Sequence, residues 1–180
     1  MTHPTTPEFD AEALYQTLAQ QVMTGLAQVD NVAIVGIHSG GAWLAERLAN
    51  ELLLNHRLGF IDASFYRDDY AAKGLRVDVK PSHIPFEVDG ATILLVDDVL
   101  YTGRTTRAAI NELFDYGRPK RIMLAALADR GGRELPVAAD FVAQKVNLAA
   151  GRSLVLHRAD DGRLSLSIEE PTNTPAADHA

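Results

Sequence analysis

The residues best equipped for chemistry lie in one stretch, LLVDDVLYTGRTTRAA, Leu94 to Ala109. An apolar run ends in Asp97 and Asp98, and four residues later comes Thr102-Gly103-Arg104-Thr105-Thr106, a set of hydroxyls around one glycine. On a strand, adjacent side chains point to opposite faces, so two neighbouring acids cannot serve one partner from one direction. They suit two neighbouring sugar hydroxyls, or a position near a Mg²⁺ ion that a phosphate-bearing ligand brings with it. The plainer alternative is a pair of solvated acids, or acids bonded to loop amides. Where the TGRTT stretch opens a helix, free N–H groups and the positive end of the helix dipole favour a phosphate. Gly103 lets the backbone approach closely, while Thr102, Thr105 and Thr106 add hydroxyl donors. Alone, such threonines read as helix caps. Beside a carboxylate pair they fit a ribose with a phosphate on its 5′ end.

The surrounding sequence alternates strand and helix patterns. Phe9 to Val29 places Ala11, Leu14, Leu18, Val22 and Leu26 at helical spacing. NVAIVGI is a continuous β-branched run of the kind buried in a parallel sheet, and HSGG breaks it before the helical AWLAERLANELLL. GFIDASFY reads as a second strand, and RDDYAAKGLRVDVK, polar and aperiodic, as a loop. ATILLVD is another buried strand, TTRAAINELFDYG a helix closed by Gly117, and PKRIMLAALAD a further strand. FVAQKVN, RSLVLH and RLSLSIEE around a DDG turn read as shorter strands. The order predicts one α/β domain over residues 1–180 with a mainly parallel sheet, and loose tails at 1–7 and 171–180. In such sheets ligands bind at the carboxyl ends of the strands, where both glycine-bearing breaks fall.

Composition excludes several functions. There is no cysteine, hence no disulfide, thiolate nucleophile or Cys-ligated zinc. No apolar run approaches the roughly 20 residues of a membrane helix, and the N-terminus lacks a signal-peptide pattern, which predicts a cytoplasmic protein. A net charge of −7 argues against broad non-specific binding of nucleic acid. Neither glycine break contains the lysine of a P-loop, and the glycines of VGIHSGG are wrongly spaced for dinucleotide binding. Of the histidines, His38 alone stands at a ligand-loop position, and Trp43 at helical spacing reads as packing.

VDDVLYTGRTTRAA resembles the phosphoribosyl-pyrophosphate (PRPP) motif of type I phosphoribosyltransferases. Within them, the wording DDVLYTGRT resembles the PyrR family of pyrimidine regulatory proteins, which are also uracil phosphoribosyltransferases. SFYRDD (Ser64 to Asp69), PFEVDGATILLVDD (Pro85 to Asp98) and DRGGRELPVAADFV (Asp129 to Val142) add ordered blocks, so the likeness runs from about Val32 to Lys145.

The resemblance implies a type I phosphoribosyltransferase fold, with helices flanking the sheet and a small hood built from terminal segments. It implies conversion of uracil and PRPP to UMP and pyrophosphate, with Mg²⁺ carried by PRPP near Asp97 and Asp98 and no metal ligand set of the protein's own. Asp97 and Asp98 would hold the ribose hydroxyls. Val96 to Thr106 (Val96, Asp97, Asp98, Val99, Leu100, Tyr101, Thr102, Gly103, Arg104, Thr105, Thr106) would form the PRPP segment, and His38, Ser39, Gly40 and Gly41 the pyrophosphate loop. Arg67, on a flap spanning Arg67 to Lys80, would contact pyrophosphate; a surface ion pair with Asp68 or Asp69 is the alternative. Arg130, Val142, Lys145 and Val146 would lie near the uracil. A homo-oligomer, dimer or tetramer, is implied as well, and so is regulation of pyrimidine operon expression through RNA. A nucleotide-sensing RNA regulator with little or no catalytic activity is the alternative reading.

Two departures from the family pattern bear on these roles. Gly40 replaces the basic residue that many relatives carry in the pyrophosphate loop, leaving that anion to backbone amides, His38 and the flap. Gly132 and Ala138 stand where relatives known for RNA regulation tend to carry His and Arg. No Lys or Arg precedes Arg47, and Arg118, Lys120 and Arg121 form the one basic cluster away from the expected site.

Overall fold

The structure, a computed structural model, describes residues 9–63 and 81–171. Arg67, the flap from Arg67 to Lys80 and the tails expected to be loose, apart from Pro171, lie outside the described residues.

Five parallel strands form the central sheet: β1 (Val32–Ile37), β2 (Leu58–Ile61), β3 (Thr92–Leu100), β4 (Arg121–Asp129) and β5 (Phe141–Lys145), in the order β2-β1-β3-β4-β5. Helices α1 (Ala11–Leu26), α2 (Gly40–Glu51) and α3 (Arg104–Tyr116) cover it. The apolar runs in β1 and β3 are buried because both faces of the sheet are covered. On one face, Leu18 and Val22 of α1 and Leu44 and Leu48 of α2 pack on Ile34, Leu94, Val96 and Met123. On the other, Ala109 and Leu113 of α3 join Val88 against Val35, Ile93, Leu95 and Leu124. Each buried leucine or isoleucine contributes about 1.5–3 kcal/mol of transfer free energy, so strand and helix patterns reinforce one another.

β3 extends three residues beyond the expected ATILLVD strand. Its pairing with β4 continues through Val99 opposite Ala128 and Leu100 opposite Asp129, so the acids sit inside the strand rather than after it. β2 ends at Ile61, before Asp62 and Ala63, and Ser64 to Tyr66 of the expected GFIDASFY strand lie outside the described residues.

The hood is an antiparallel hairpin of β6 (Ser153–Arg158) and β7 (Leu164–Glu169). Leu154, Val146 and Ala128 form its apolar seat at the carboxyl end of the sheet, with Phe9, Val99, Leu148, Leu166 and Ile168 packed around them. Its turn is held to the helices by Arg47, which donates to both oxygens of Glu12 at 2.7 and 3.0 Å and to the Gly162 carbonyl at 2.6 Å. The Leu164 amide completes the junction by donating to Glu12 at 2.7 Å. The hydrogen bond from Arg47 holds the Glu12 carboxyl below its usual range despite partial burial. No helix among the described residues is long and apolar enough to cross a membrane.

Candidate active site

Asp97 and Asp98 are buried, 6% and 8% exposed, near the carboxyl end of the central strand β3. Alternation along β3 puts Asp97 on the face of Ile93 and Leu95, toward α3, and Asp98 on the face of Leu94 and Val96, toward α2. Each carboxylate accepts a local backbone bond: Asp98 N–H donates to Asp97 Oδ1 and Val99 N–H to Asp98 Oδ1, both at 2.9 Å. Burying carboxylates costs several kcal/mol unless they are paired or hydrogen-bonded.

The segment expected to hold pyrophosphate lies beside Asp98. Chain leaves β1 at Ile37, passes His38 and Ser39, and enters α2 at Gly40. A β-carbon on Gly41 would overlap the Val96 carbonyl and stand 3.0 Å from the Asp97 Cα, so its absence allows the helix start to rest on β3. A β-carbon on Gly40 would run into the Asp98 carboxylate and come 2.9 Å from Asp98 Cβ. His38 packs against Phe60, with ring centroids 5.4 Å apart.

The TGRTT segment turns from β3 into α3. Gly103 is the N-cap with φ of 95°, a left-handed conformation that side chains disfavour. The expectation that threonines cap the helix through their side chains meets one partial case: the Arg104 amide donates to Thr102 Oγ1 at 3.3 Å. Thr106 is 1% exposed, and its hydroxyl has no hydrogen-bond partner among the described residues. An unpaired buried hydroxyl in the first turn of a helix costs about 1–3 kcal/mol, which a bound anion would offset.

Within the expected PRPP segment the side chains divide. Val96 and Leu100 are buried in the two main cores and Val99 packs into the hood seat, so these three serve through the strand they build. Tyr101 is partly exposed, and Arg104 pairs with Glu134.

The residues expected near the base do not form one group. Lys145 stands opposite Asp129 at the strand ends and is exposed, while Val146, buried in the hood seat, donates its amide to the Asp129 carbonyl at 2.8 Å. Val142 is paired three residues earlier, opposite Ala126, and its carbonyl accepts from Gln21 at 3.0 Å, so that carbonyl is already engaged. The Arg130 guanidinium lies 4.0 Å from the centroid of the Tyr101 ring, a cation–π contact, and its buried Nε has no partner among the described residues.

Sequence reasoning missed the bonds made by the segment after β4. Arg133 donates to Asp129 Oδ2 at 2.6 Å, to the Tyr101 carbonyl at 2.6 Å and to the Val137 carbonyl at 2.9 Å. Burial raises the affinity of Asp129 for a proton, but bonds from Arg133 and the Gly131 amide, with Lys145 nearby, outweigh it and hold the carboxyl below its usual range. The two arginines of DRGGR, Arg130 and Arg133, were the one signal in the sequence.

Residues 9–151 match the phosphoribosyl transferase domain family. The chain belongs to the phosphoribosyltransferase family. Among curated relatives, the bifunctional protein PyrR of Ralstonia nicotianae is 52% identical over 160 residues, covering 88% of this chain and 91% of that protein. The bifunctional protein PyrR of Nitrosococcus oceani is 44% identical over 176 residues, 96% and 99% of the two chains. These identities place this phosphoribosyltransferase in the PyrR branch and bear out the resemblance carried by DDVLYTGRT. Among solved structures, a purine phosphoribosyltransferase from Pyrococcus horikoshii superposes with a TM-score of 0.57 at 25% identity, covering 78% of this chain and 85% of that one. A hypoxanthine-guanine phosphoribosyltransferase from Bacillus anthracis gives 0.61 at 16% identity, with 81% and 84% covered, and supports the type I fold.

Proposed function

We propose that this phosphoribosyltransferase transfers the phosphoribosyl group of PRPP to uracil, giving UMP and pyrophosphate. The observation that carries the reading is the placement of two buried acids on β3 between two glycine-bearing loops, one of which opens a helix with an unpartnered buried hydroxyl. Uracil N1 bonds to the anomeric carbon and loses its proton, while the bond from that carbon to the pyrophosphate oxygen breaks and its electron pair leaves with pyrophosphate. The sugar gains cationic character in between, so positioned negative charge speeds the step and no covalent nucleophile is needed.

Asp97 and Asp98 hold the ribose hydroxyls from the two faces of β3 and stabilise the developing cation. The start of α3, with Thr105 and Thr106, receives the 5′-phosphate, and the backbone from His38 to Gly41 faces the pyrophosphate. Arg67 is assigned to pyrophosphate on the resemblance alone. Arg130, Lys145 and the chain around Val146 border the base.

Magnesium fits as a companion of PRPP. Oxygen donors from the buried acids suit a hard cation whose other ligands come from the substrate. Asp97 and Asp98 are the residues that would lie beside it, and the ion would supply charge neutralisation for departing pyrophosphate.

The protein acts as one domain in the cytoplasm and as a homo-oligomer, dimer or tetramer. Regulation through RNA is a second role, in keeping with the word bifunctional in the names of the relatives. Arg104 is paired with Glu134 at the surface and Arg133 is bonded to Tyr101 and Asp129, whereas Arg118, Lys120 and Arg121 stand exposed beside the start of β4, at the opposite end of the sheet from the acids.

Calorimetric titration tests the site: PRPP with Mg²⁺, and UMP alone, bind the folded protein at one site per chain. Failure of both to bind refutes the reading. Binding of both with no turnover of any pyrimidine favours the nucleotide-sensing regulator instead.

A further inference from the structure

We propose that Arg133 is a positioning residue for 5′-phosphate binding, holding the phosphate loop from behind so that its amides face the ligand. The proposal rests on the phosphoribosyltransferase reading of that loop. Arg133 is 32 positions away from Tyr101 in the sequence, and its side chain is only 24% exposed. Its fork reaches the Tyr101 carbonyl, where the loop leaves β3, and at the same time the Asp129 carboxylate, where β4 ends. Its Nε closes the arrangement on the Val137 carbonyl.

The neighbouring backbone makes the same connection. The amides of Glu134 and Leu135 both donate to the Thr102 carbonyl, at 3.0 and 3.1 Å, and the Arg130 amide donates to the Leu100 carbonyl at 3.0 Å. The Cβ direction of Gly103 also faces this segment, 3.3 Å from Val137 and 3.4 Å from Leu135. Consecutive carbonyls of the loop, at Leu100, Tyr101 and Thr102, are thus held by residues 130 to 135.

Peptide geometry gives those bonds a directional consequence. In a planar trans peptide the N–H points opposite to the C=O of the same unit. Fixing the Tyr101 carbonyl on Arg133 therefore turns the Thr102 amide away from the segment. Fixing the Thr102 carbonyl on Glu134 and Leu135 does the same for the Gly103 amide. Both N–H groups are thereby directed away from residues 130 to 135 and toward the start of α3, where an anion is favoured. Asp129 keeps the guanidinium in place: a charge-assisted pair anchors one arm while the other reaches the loop. An arginine is required because one planar group must meet three acceptors in different directions, which a lysine ammonium on a flexible stem does poorly.

Steady-state kinetics of Arg133→Gln and Arg133→Lys test the proposal, with PRPP binding by calorimetry as an independent readout. The Gln variant is expected to raise KM and Kd for PRPP by tenfold or more, with KM for uracil changed by less than about twofold. The Lys variant is expected to recover only part of the loss. If the Gln variant does not fold, the Lys variant carries the test, with a rise in PRPP KM of at least threefold expected. PRPP affinity equal to wild type in a folded variant overturns the positioning role and leaves the site reading intact. Equal rises in the KM of both substrates with a lowered Tm overturn it too, since they mark general loss of structure. A wild-type protein that binds no PRPP overturns both.

Discussion

The Asp98 carboxylate lies against the α-carbon of Gly40, in the volume a side chain at residue 40 would fill. A β-carbon there would stand 2.7 Å from Asp98 Cγ and 2.9 Å from its Cβ, closer than side-chain carbons approach, and the Val99 amide holds the other carboxylate oxygen at 2.9 Å. The absence of a side chain at residue 40 and the position of the Asp98 carboxylate are therefore one feature.

Gly40→Ala should lower the rate of UMP formation by about tenfold or more, because displacing Asp98 removes about 1.4 kcal/mol or more of transition-state stabilisation. In an Asp98→Ala background the same change should cost little, as contacting residues are strongly non-additive. Steady-state rates of the two single variants and the double variant check this. Additive losses would show that Gly40 acts independently of Asp98.

Gly103→Ala should cost about 1–2 kcal/mol of stability, since φ of 95° places a side chain in the left-handed region. Its β-carbon would point at Val137 rather than into the cradle, so the loss of PRPP affinity, expected to be tenfold or more, would come from a shifted loop backbone. Urea denaturation and calorimetry measure the two effects. Unchanged PRPP affinity would return TGRTT to the role of a helix start alone.

Glu12→Gln should loosen the hood. The Arg47 hydrogen bond depresses the Glu12 pKa in the folded chain, so the charged form contributes stability above the unfolded value of about 4.3. That contribution fades as pH falls through the lowered folded value. With a side chain 34% exposed, solvent screening reduces the effect to about 1 kcal/mol. Tm at pH 7 should drop by about 2–4 °C, and the gap from wild type should close toward pH 3. A gap independent of pH would mean that the charge is not what holds the hairpin turn.

Much of the fold was legible because its strands are continuous apolar runs. VAIVGI and TILLV read as strands buried on both faces, as in a covered parallel sheet, and the glycine breaks after them marked the ligand end. The two acids stood out for the same reason, as charge at the end of such a run. What stayed hidden depends on residues far apart in the chain. The end of β3 at Leu100 is set by its pairing with β4, Gly40 meets Asp98 across two strands' worth of sequence, and Arg133 reaches Tyr101 through a segment with no periodicity. No local pattern announces such contacts. The carbonyl of Val142 illustrates the reverse: the family resemblance put it near the base, but Gln21 of α1 donates to it.

The most direct measurement is formation of UMP from uracil and PRPP by the purified protein with Mg²⁺, in wild type and in Asp97→Asn and Asp98→Asn. Wild type should produce UMP and pyrophosphate in equal amounts, and each Asn variant should fall by about tenfold or more while remaining folded, since a charge-assisted bond or a stabilised cationic transition state contributes about 1.4 kcal/mol or more. Folded wild-type protein that makes no UMP, or Asn variants as fast as wild type, would contradict the assignment of the two buried acids to phosphoribosyl transfer.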